Sequence, residues 1–141
     1  MGVLNITPDS FSDGGQFLEL SDAMAQARLL VEQGAEILDV GGESTRPGAM
    51  RISLNQEQDR VLPVIAAIRS ELDVLISIDT MNAKTARAAV QAGANIVNDV
   101  SGGLADPQMF GAIQDLDCRY VLGHWRGHSD VMDTMVTYSD V

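Results

Sequence analysis

Five short apolar runs in this 141-residue chain end in side chains that can donate or accept hydrogen bonds: Asn5, Asp39, Asp79, Asn98 with Asp99, and His124. A carboxylate taken out of water costs several kcal/mol unless it is paired or hydrogen-bonded. Aspartates and asparagines converging on one rim would therefore form a set waiting for a polar ligand. Singly, each could equally cap a neighbouring helix or loop. Asp79, in the stretch SIDT, can accept two parallel hydrogen bonds from a guanidine-like N–H edge. Asn98 can donate and accept on an adjoining part of the same heterocycle. Asn5 offers a neutral amide oxygen, which suits Mg2+ when phosphates complete the shell.

Two polar loops could add to such a rim. In GGESTRPGA, Gly41 to Ala49, glycines permit close backbone approach, Ser44 and Thr45 carry hydroxyls, and Arg46 carries a planar cationic fork. Those are the parts of a phosphate or carboxylate seat. The competing reading is a turn closed by a Glu43–Arg46 ion pair, worth about 0–1 kcal/mol. The other loop, NITPDSFSDGG, holds Thr7, Asp9, Ser10, Phe11, Ser12 and Asp13. Turn formation accounts for Pro8, Asp9 and Ser10. It does not account for Phe11, whose ring points to a lid contact over a flat substrate.

His124 and His128 have the i, i+4 spacing of a helical metal pair, but Gly127 and the strand-end position argue against a helix there. His124 reads as a hydrogen-bonded strand end and His128 as solvated. Met109, Met132 and Met135 read as packing.

The elements that must position these residues follow from punctuation and periodicity. VEQGAEILDVGG (Val31–Gly42) and VQAGANIVNDVSGG (Val90–Gly103) share one layout: helix end, Gly-Ala, apolar strand, polar tip, glycines. Gly34 and Gly93 suit the left-handed residue just past a helix. Short apolar runs predict strands at Gly2–Asn5, Ile37–Val40, Leu75–Ile78, Ile96–Asn98 and Tyr120–Gly123. Helical spacing links Ala23, Ala27, Leu30 and Val31, then Val61, Ile65 and Ile68, then Ala86, Ala89 and Val90. Ser53 with Gln56 forms a capping-box pattern. Asp106-Pro107 reads as an N-cap followed by proline at the first helical position.

Strands and helices thus alternate from end to end, which implies a parallel sheet. The candidates are a doubly wound sheet and part of a (β/α)8 barrel. NITPDSFSDGG stands where a dinucleotide fold would place GxGxxG. A whole barrel takes about 250 residues. Five strands would leave the first and last as bare edges, so the expectation is a piece of a longer chain.

Composition narrows the partners. Twenty acidic against nine basic residues give a net charge of -11, which argues against nucleic-acid binding. A phosphorylated ligand needs only a local site. No apolar run approaches the roughly 18 residues of a membrane span and no signal peptide opens the chain, so a soluble, cytoplasmic protein is expected. The lone Cys118 excludes an intrachain disulfide and is expected at a helix–strand junction without a catalytic role.

Taken in order, NITPDSFSDGG, GGESTRPGA, SIDT, NDVSGG followed by Asp106-Pro107, and HWRG resemble dihydropteroate synthase over essentially the whole chain. The resemblance implies a (β/α)8 barrel of the pterin-binding class, with residues 1–141 as its N-terminal part and the later strands absent. It implies condensation of 6-hydroxymethyl-7,8-dihydropterin diphosphate with 4-aminobenzoate, giving 7,8-dihydropteroate and diphosphate in folate synthesis. By the same resemblance Asn5 is the Mg2+ ligand and Thr45 contacts the diphosphate side. Asp79 and Asn98 hold the pterin edge. Asp9, Phe11, Arg46 and Pro47 close over the site and help form the 4-aminobenzoate pocket, for which sulfonamides compete in the family.

The family carries a methionine where this chain has Gly123, and that change is expected to enlarge the wall of the pterin pocket. The family's later strands supply a further pterin-binding aspartate, a lysine and a basic motif, so the 141 residues alone are expected to be inactive. A homodimer would use regions absent here. Two other readings carry a similar barrel: a methyltetrahydrofolate-using corrinoid methyltransferase, against which both loops speak, and a pterin-binding paralogue without catalysis.

Overall fold

The computed structural model describes residues 1–6, 15–44, 51–125 and 127–128. Its elements alternate without exception: β1 (Gly2–Asn5), α1 (Gly15–Glu32), β2 (Ile37–Gly41), α2 (Leu54–Glu71), β3 (Leu75–Asp79), α3 (Ala83–Ala92), β4 (Ile96–Asp99), α4 (Met109–Gln114) and β5 (Arg119–Leu122). The strands form one sheet in the order β1-β2-β3-β4-β5, and every neighbouring pair is parallel. A doubly wound sheet reverses its strand order at a switch point. None occurs among the described strands, which leaves the barrel-type arrangement. Among the described residues no helix is long and apolar enough to cross a membrane.

Strand register divides the sheet into two faces, because successive side chains point to opposite sides. Leu4, Val40, Ile78 and Val97 are aligned across four strands and are at most 1% exposed. They pack with Ala23, Ala27, Val61, Ile65, Ile68, Ala86 and Ala89 of the helices in one core. Each fully buried Leu, Ile or Val contributes about 1.5–3 kcal/mol, so this layer fixes the register. Once it is fixed, the alternate row Asn5, Gly41, Asp79, Asn98 and Val121 must face the other way.

The expected caps are present at three places. Ser53 and Gln56 close a reciprocal capping box at the start of α2. Gly34 and Gly93 take φ of 93° and 118°, the left-handed turn out of α1 and α3. Cys118 sits between α4 and β5, as expected. Asp106 is a correction: α4 starts only at Met109, and its N-cap is Gln108. The Asp106 carboxylate instead divides its oxygens, one accepting from the Gln108 amide at 2.9 Å and one from the Ala83 amide at 2.8 Å. It thereby caps α3, whose own N-cap residue Asn82 makes no side-chain cap bond. Strand β5 also pairs one residue earlier than expected.

Candidate functional site

The carboxyl ends of the strands present one continuous polar row. Asn5 pairs in register with Gly41, Gly41 with Asp79, and Asp79 with Asn98. A Cβ on Gly41 would stand 3.5 Å from Asn5 Oδ1 and 3.5 Å from Asp79 Oδ2, so glycine keeps the middle of the row open. One step down the same face lies Asp39, in register with Ser77. The Asn98 side-chain amide reaches over β3 and donates to Asp39 Oδ2 at 3.1 Å. Asp39 Oδ1 and Ser77 Oγ remain buried without a hydrogen-bond partner. Unmet buried acceptors are rare in native proteins and call for a reason.

Asp79 is electrostatically unusual. Burial, followed by the repulsion of Asp39, Glu57, Asp99 and Glu43, raises its pKa to about 7 from the ordinary 3.8. A part-buried carboxyl whose pKa is pushed up to about 7 is typical of a functional position.

Asp99 does not belong to this rim, contrary to the sequence reading. It is adjacent to Asn98 and so points to the opposite face, where it is fully buried. Its two oxygens accept from the Ser101 amide and hydroxyl, the Gly103 amide and the Tyr120 hydroxyl, at 2.6–2.9 Å. That carboxylate organises the turn after β4. Burial and Asp99 together push the Tyr120 hydroxyl well above its usual pKa.

The two histidines exchange roles relative to expectation. His124 is exposed. His128 stacks edge-on against Trp125, with ring centroids 4.8 Å apart, and its Nε2 lies 3.5 Å from Arg51 Nη1. Glu43 pairs with Arg51 at 3.4 Å, on the far side of the stretch that the sequence reading closed with Arg46. Burial raises the Glu43 pKa, and Arg51 opposes that rise. Gly123 is a further correction. The space its side chain would fill is taken by the main chain of Val100, with Cα and O 2.6 Å from an ideal Cβ. The glycine admits a close backbone approach and leaves no gap in a wall.

Of the residues named from sequence, Asn5, Asp79 and Asn98 are brought together on one row. Asp9, Phe11, Thr45, Arg46 and Pro47 lie outside the described residues, as do Met132 and Met135. Met109 is fully buried in the core. Glu57 is not among the residues the sequence points to, yet it is 1% exposed and accepts three hydrogen bonds beside the tip of β3. Its signal was its place four residues before Val61, on the apolar stripe of α2. A groove of about 370 Å3 lined by Lys84, Arg87, Gln108, Asp115 and others lies between α3 and α4 and shares no residue with the polar row.

Consecutive parallel strands with a hydrogen-bonding row at their carboxyl ends define a barrel-type α/β protein with a ligand site at that end. The chain belongs to the family described as pterin binding enzyme, whose model matches residues 1–141. It is 48% identical over 141 residues to dihydropteroate synthase of Synechocystis sp., covering 100% of this chain and 49% of that protein. Its fold superposes on Yersinia pestis dihydropteroate synthase, solved as a sulfonamide drug complex, with a TM-score of 0.87 and 39% identity, over 99% of this chain and 50% of that one. For Xanthomonas albilineans dihydropteroate synthase with 4-aminobenzoic acid the TM-score is 0.84 at 44% identity, over 89% and 46%. The chain thus carries a five-stranded part of a (β/α)8 barrel and spans about half the length of the curated relatives it matches.

Proposed function

We propose that the protein containing this chain is a dihydropteroate synthase, and that residues 1–141 form the N-terminal part of its single pterin-binding barrel. The observation that carries this reading is the polar row itself. Asp79 and Asn98 stand side by side in register, above a buried Asp39 whose Oδ1 has no partner. A pterin edge offers ring and amino N–H donors of the kind that a single carboxylate accepts in parallel, and Asn98 supplies both a donor and an acceptor.

Diphosphate is a good leaving group, so no protein nucleophile is needed. The work is electrostatic: donors steady the departing anion while carboxylates face the methylene carbon as it becomes electron-poor. The amine of 4-aminobenzoate then forms the new C–N bond at that carbon as the C–O bond to diphosphate breaks, and the amine loses a proton. Thr45 holds the diphosphate side, and Asp9, Phe11, Arg46 and Pro47 close over the site and shape the 4-aminobenzoate pocket. That closure places the amine and excludes water.

Mg2+ is part of the proposal. The described residues contain no group of three or more His, Cys, Asp or Glu side chains suited to a metal. The fit is instead that of a single neutral oxygen, Asn5 Oδ1, at the open end of the row beside Gly41. Mg2+ commonly keeps several waters and binds through one protein oxygen plus substrate phosphates. Bound there, it would supply neutralisation of charge on the leaving diphosphate.

The test is formation of dihydropteroate by the intact protein from the pterin diphosphate and 4-aminobenzoate, with and without Mg2+. Turnover that needs Mg2+ and falls at least tenfold in Asp79→Asn is the expected result. Pterin binding without turnover would instead identify a non-catalytic paralogue.

A further inference from the structure

Glu57 occupies a place where packing alone calls for an apolar side chain. It lies in the first turns of α2 on the stripe continued by Val61, Val64, Ile65 and Ile68, and it is 1% exposed. Burying a carboxylate is unfavourable by several kcal/mol, so its presence needs a compensating set of bonds. It has them. Oε1 accepts from the Thr80 hydroxyl at 2.6 Å, and Oε2 accepts from Asn82 Nδ2 at 2.7 Å and the Thr85 hydroxyl at 2.6 Å.

All three donors belong to β3's exit turn and the start of α3. Thr80 is the residue after Asp79, and its hydroxyl also accepts from the Asn82 amide at 3.1 Å. Its own amide donates to the Asn98 carbonyl at 3.1 Å. Thr80 is therefore held by its side chain to Glu57 and by its backbone to Asn98. The same helix holds the tip of β2, since Arg60 donates to the Gly42 carbonyl at 2.8 Å. A Cβ on Gly42 would come within 2.9 Å of Val61 Cγ1, so that approach is close.

We propose that Glu57 is a positioning residue of the ligand site, fixing Asp79 through the Thr80–Asn82 turn. The proposal rests on the pterin-edge reading of Asp79 and Asn98 given above. Glu57 touches no substrate; its carboxylate sets the direction in which β3 leaves the sheet and places a negative charge behind Asp79. Asp39 from β2, Glu43 from the segment after β2 and, from the opposite face of β4, Asp99 also repel the Asp79 carboxylate. A change confined to residue 57 leaves those three in place.

The experiment is a double-mutant cycle on the intact protein, read by calorimetry with 6-hydroxymethylpterin as the probe at about pH 9, where Asp79 is ionised with or without Glu57. Glu57→Gln is expected to weaken binding at least tenfold when Asp79 is present and less than twofold in the Asp79→Asn background. Equal losses in both backgrounds, or no loss in either, overturn the proposal. Should Glu57→Gln not fold, the near-isosteric Thr80→Val removes the linking hydroxyl and runs through the same cycle with the same two outcomes.

A second readout does not need the pterin. Titration of the Asp79 carboxyl, followed by its 13C resonance, should move to lower pH in Glu57→Gln, by half a pH unit or more. An unmoved titration overturns the proposal. If Asp79→Asn leaves pterin affinity unchanged while this titration still moves, the pterin-edge reading fails and the hold of Glu57 on Asp79 stands.

Discussion

The side-chain amide of Asn98 crosses over β3 to donate to Asp39 Oδ2 at 3.1 Å, leaving the other oxygen of that buried carboxylate unmatched. A half-satisfied buried charge is unfavourable for folding and useful for binding. Asp39→Asn should therefore raise the stability of the unliganded protein by about 1 kcal/mol and weaken pterin affinity at least tenfold. Thermal melts with and without 6-hydroxymethylpterin check both signs. A destabilised variant with unchanged affinity would contradict the expectation.

The raised pKa of Asp79 makes two opposite pH dependences. Its folded value is about 7 against an ordinary 3.8, so the folded state holds the proton more tightly. That contribution to stability is fully present below pH ~4 and is lost as pH rises through about 7, on the order of 2–4 kcal/mol in all. Binding of an N–H edge needs the ionised form, so pterin affinity should fall about tenfold per pH unit below 7. Asp79→Asn is expected to flatten both curves. Denaturant melts and calorimetry between pH 5 and 8 read them separately.

Gly93 offers a control at the opposite end of the sheet. Its φ is 118°, and an added Cβ would stand 2.8 Å from Arg69 Cγ. Arg69 donates from two nitrogens to the Gly93 carbonyl and from one to Asn95 Oδ1, which in turn accepts from the Ile76 amide. Gly93→Ala should cost about 1–3 kcal/mol and leave pterin affinity unchanged within twofold, because that end of a barrel serves stability. A loss of affinity in a protein that still folds would refute this division of labour.

Gly123 sits on the functional side, and its substitution should behave differently. An alanine Cβ would meet Val100 Cα and O at 2.6 Å, so one of the two backbones has to move. Overpacking of this kind costs about 1–3 kcal/mol. Val100 follows Asn98 by two residues, so Gly123→Ala should lower both melting temperature and pterin affinity. An unchanged melting temperature would mean that the position does face open space.

Much of this site is legible in the sequence because strands impose a period of two. Asn5, Asp79 and Asn98 each end an apolar run, and the alternation that buries Leu4, Ile78 and Val97 turns them to the other face. The same rule, applied strictly, already separates Asn98 from Asp99, since neighbours along a strand cannot share a face. Asp99 joins the rim by residue type alone, and its direction along the strand takes it off. Glu57 was hidden for a different reason. An acidic residue in the first turn of a helix looks like ordinary dipole compensation, and only its place on the apolar stripe marks it as buried. The Asp106 cap on Ala83 spans 23 residues, a distance over which local patterns carry no information.

That last contact has a consequence for engineering. Connections between strands and helices usually accept inserted residues, because few bonds tie them down. The segment from Val100 to Gln108 is tied at both ends: Asp99 holds the Ser101 and Gly103 amides, and Asp106 holds the first amide of α3. An insertion or circular-permutation break there would uncap a helix that precedes it in the chain. The turn after β4 is thus a poor place to cut or lengthen this protein, although it lies on the loop side of the sheet.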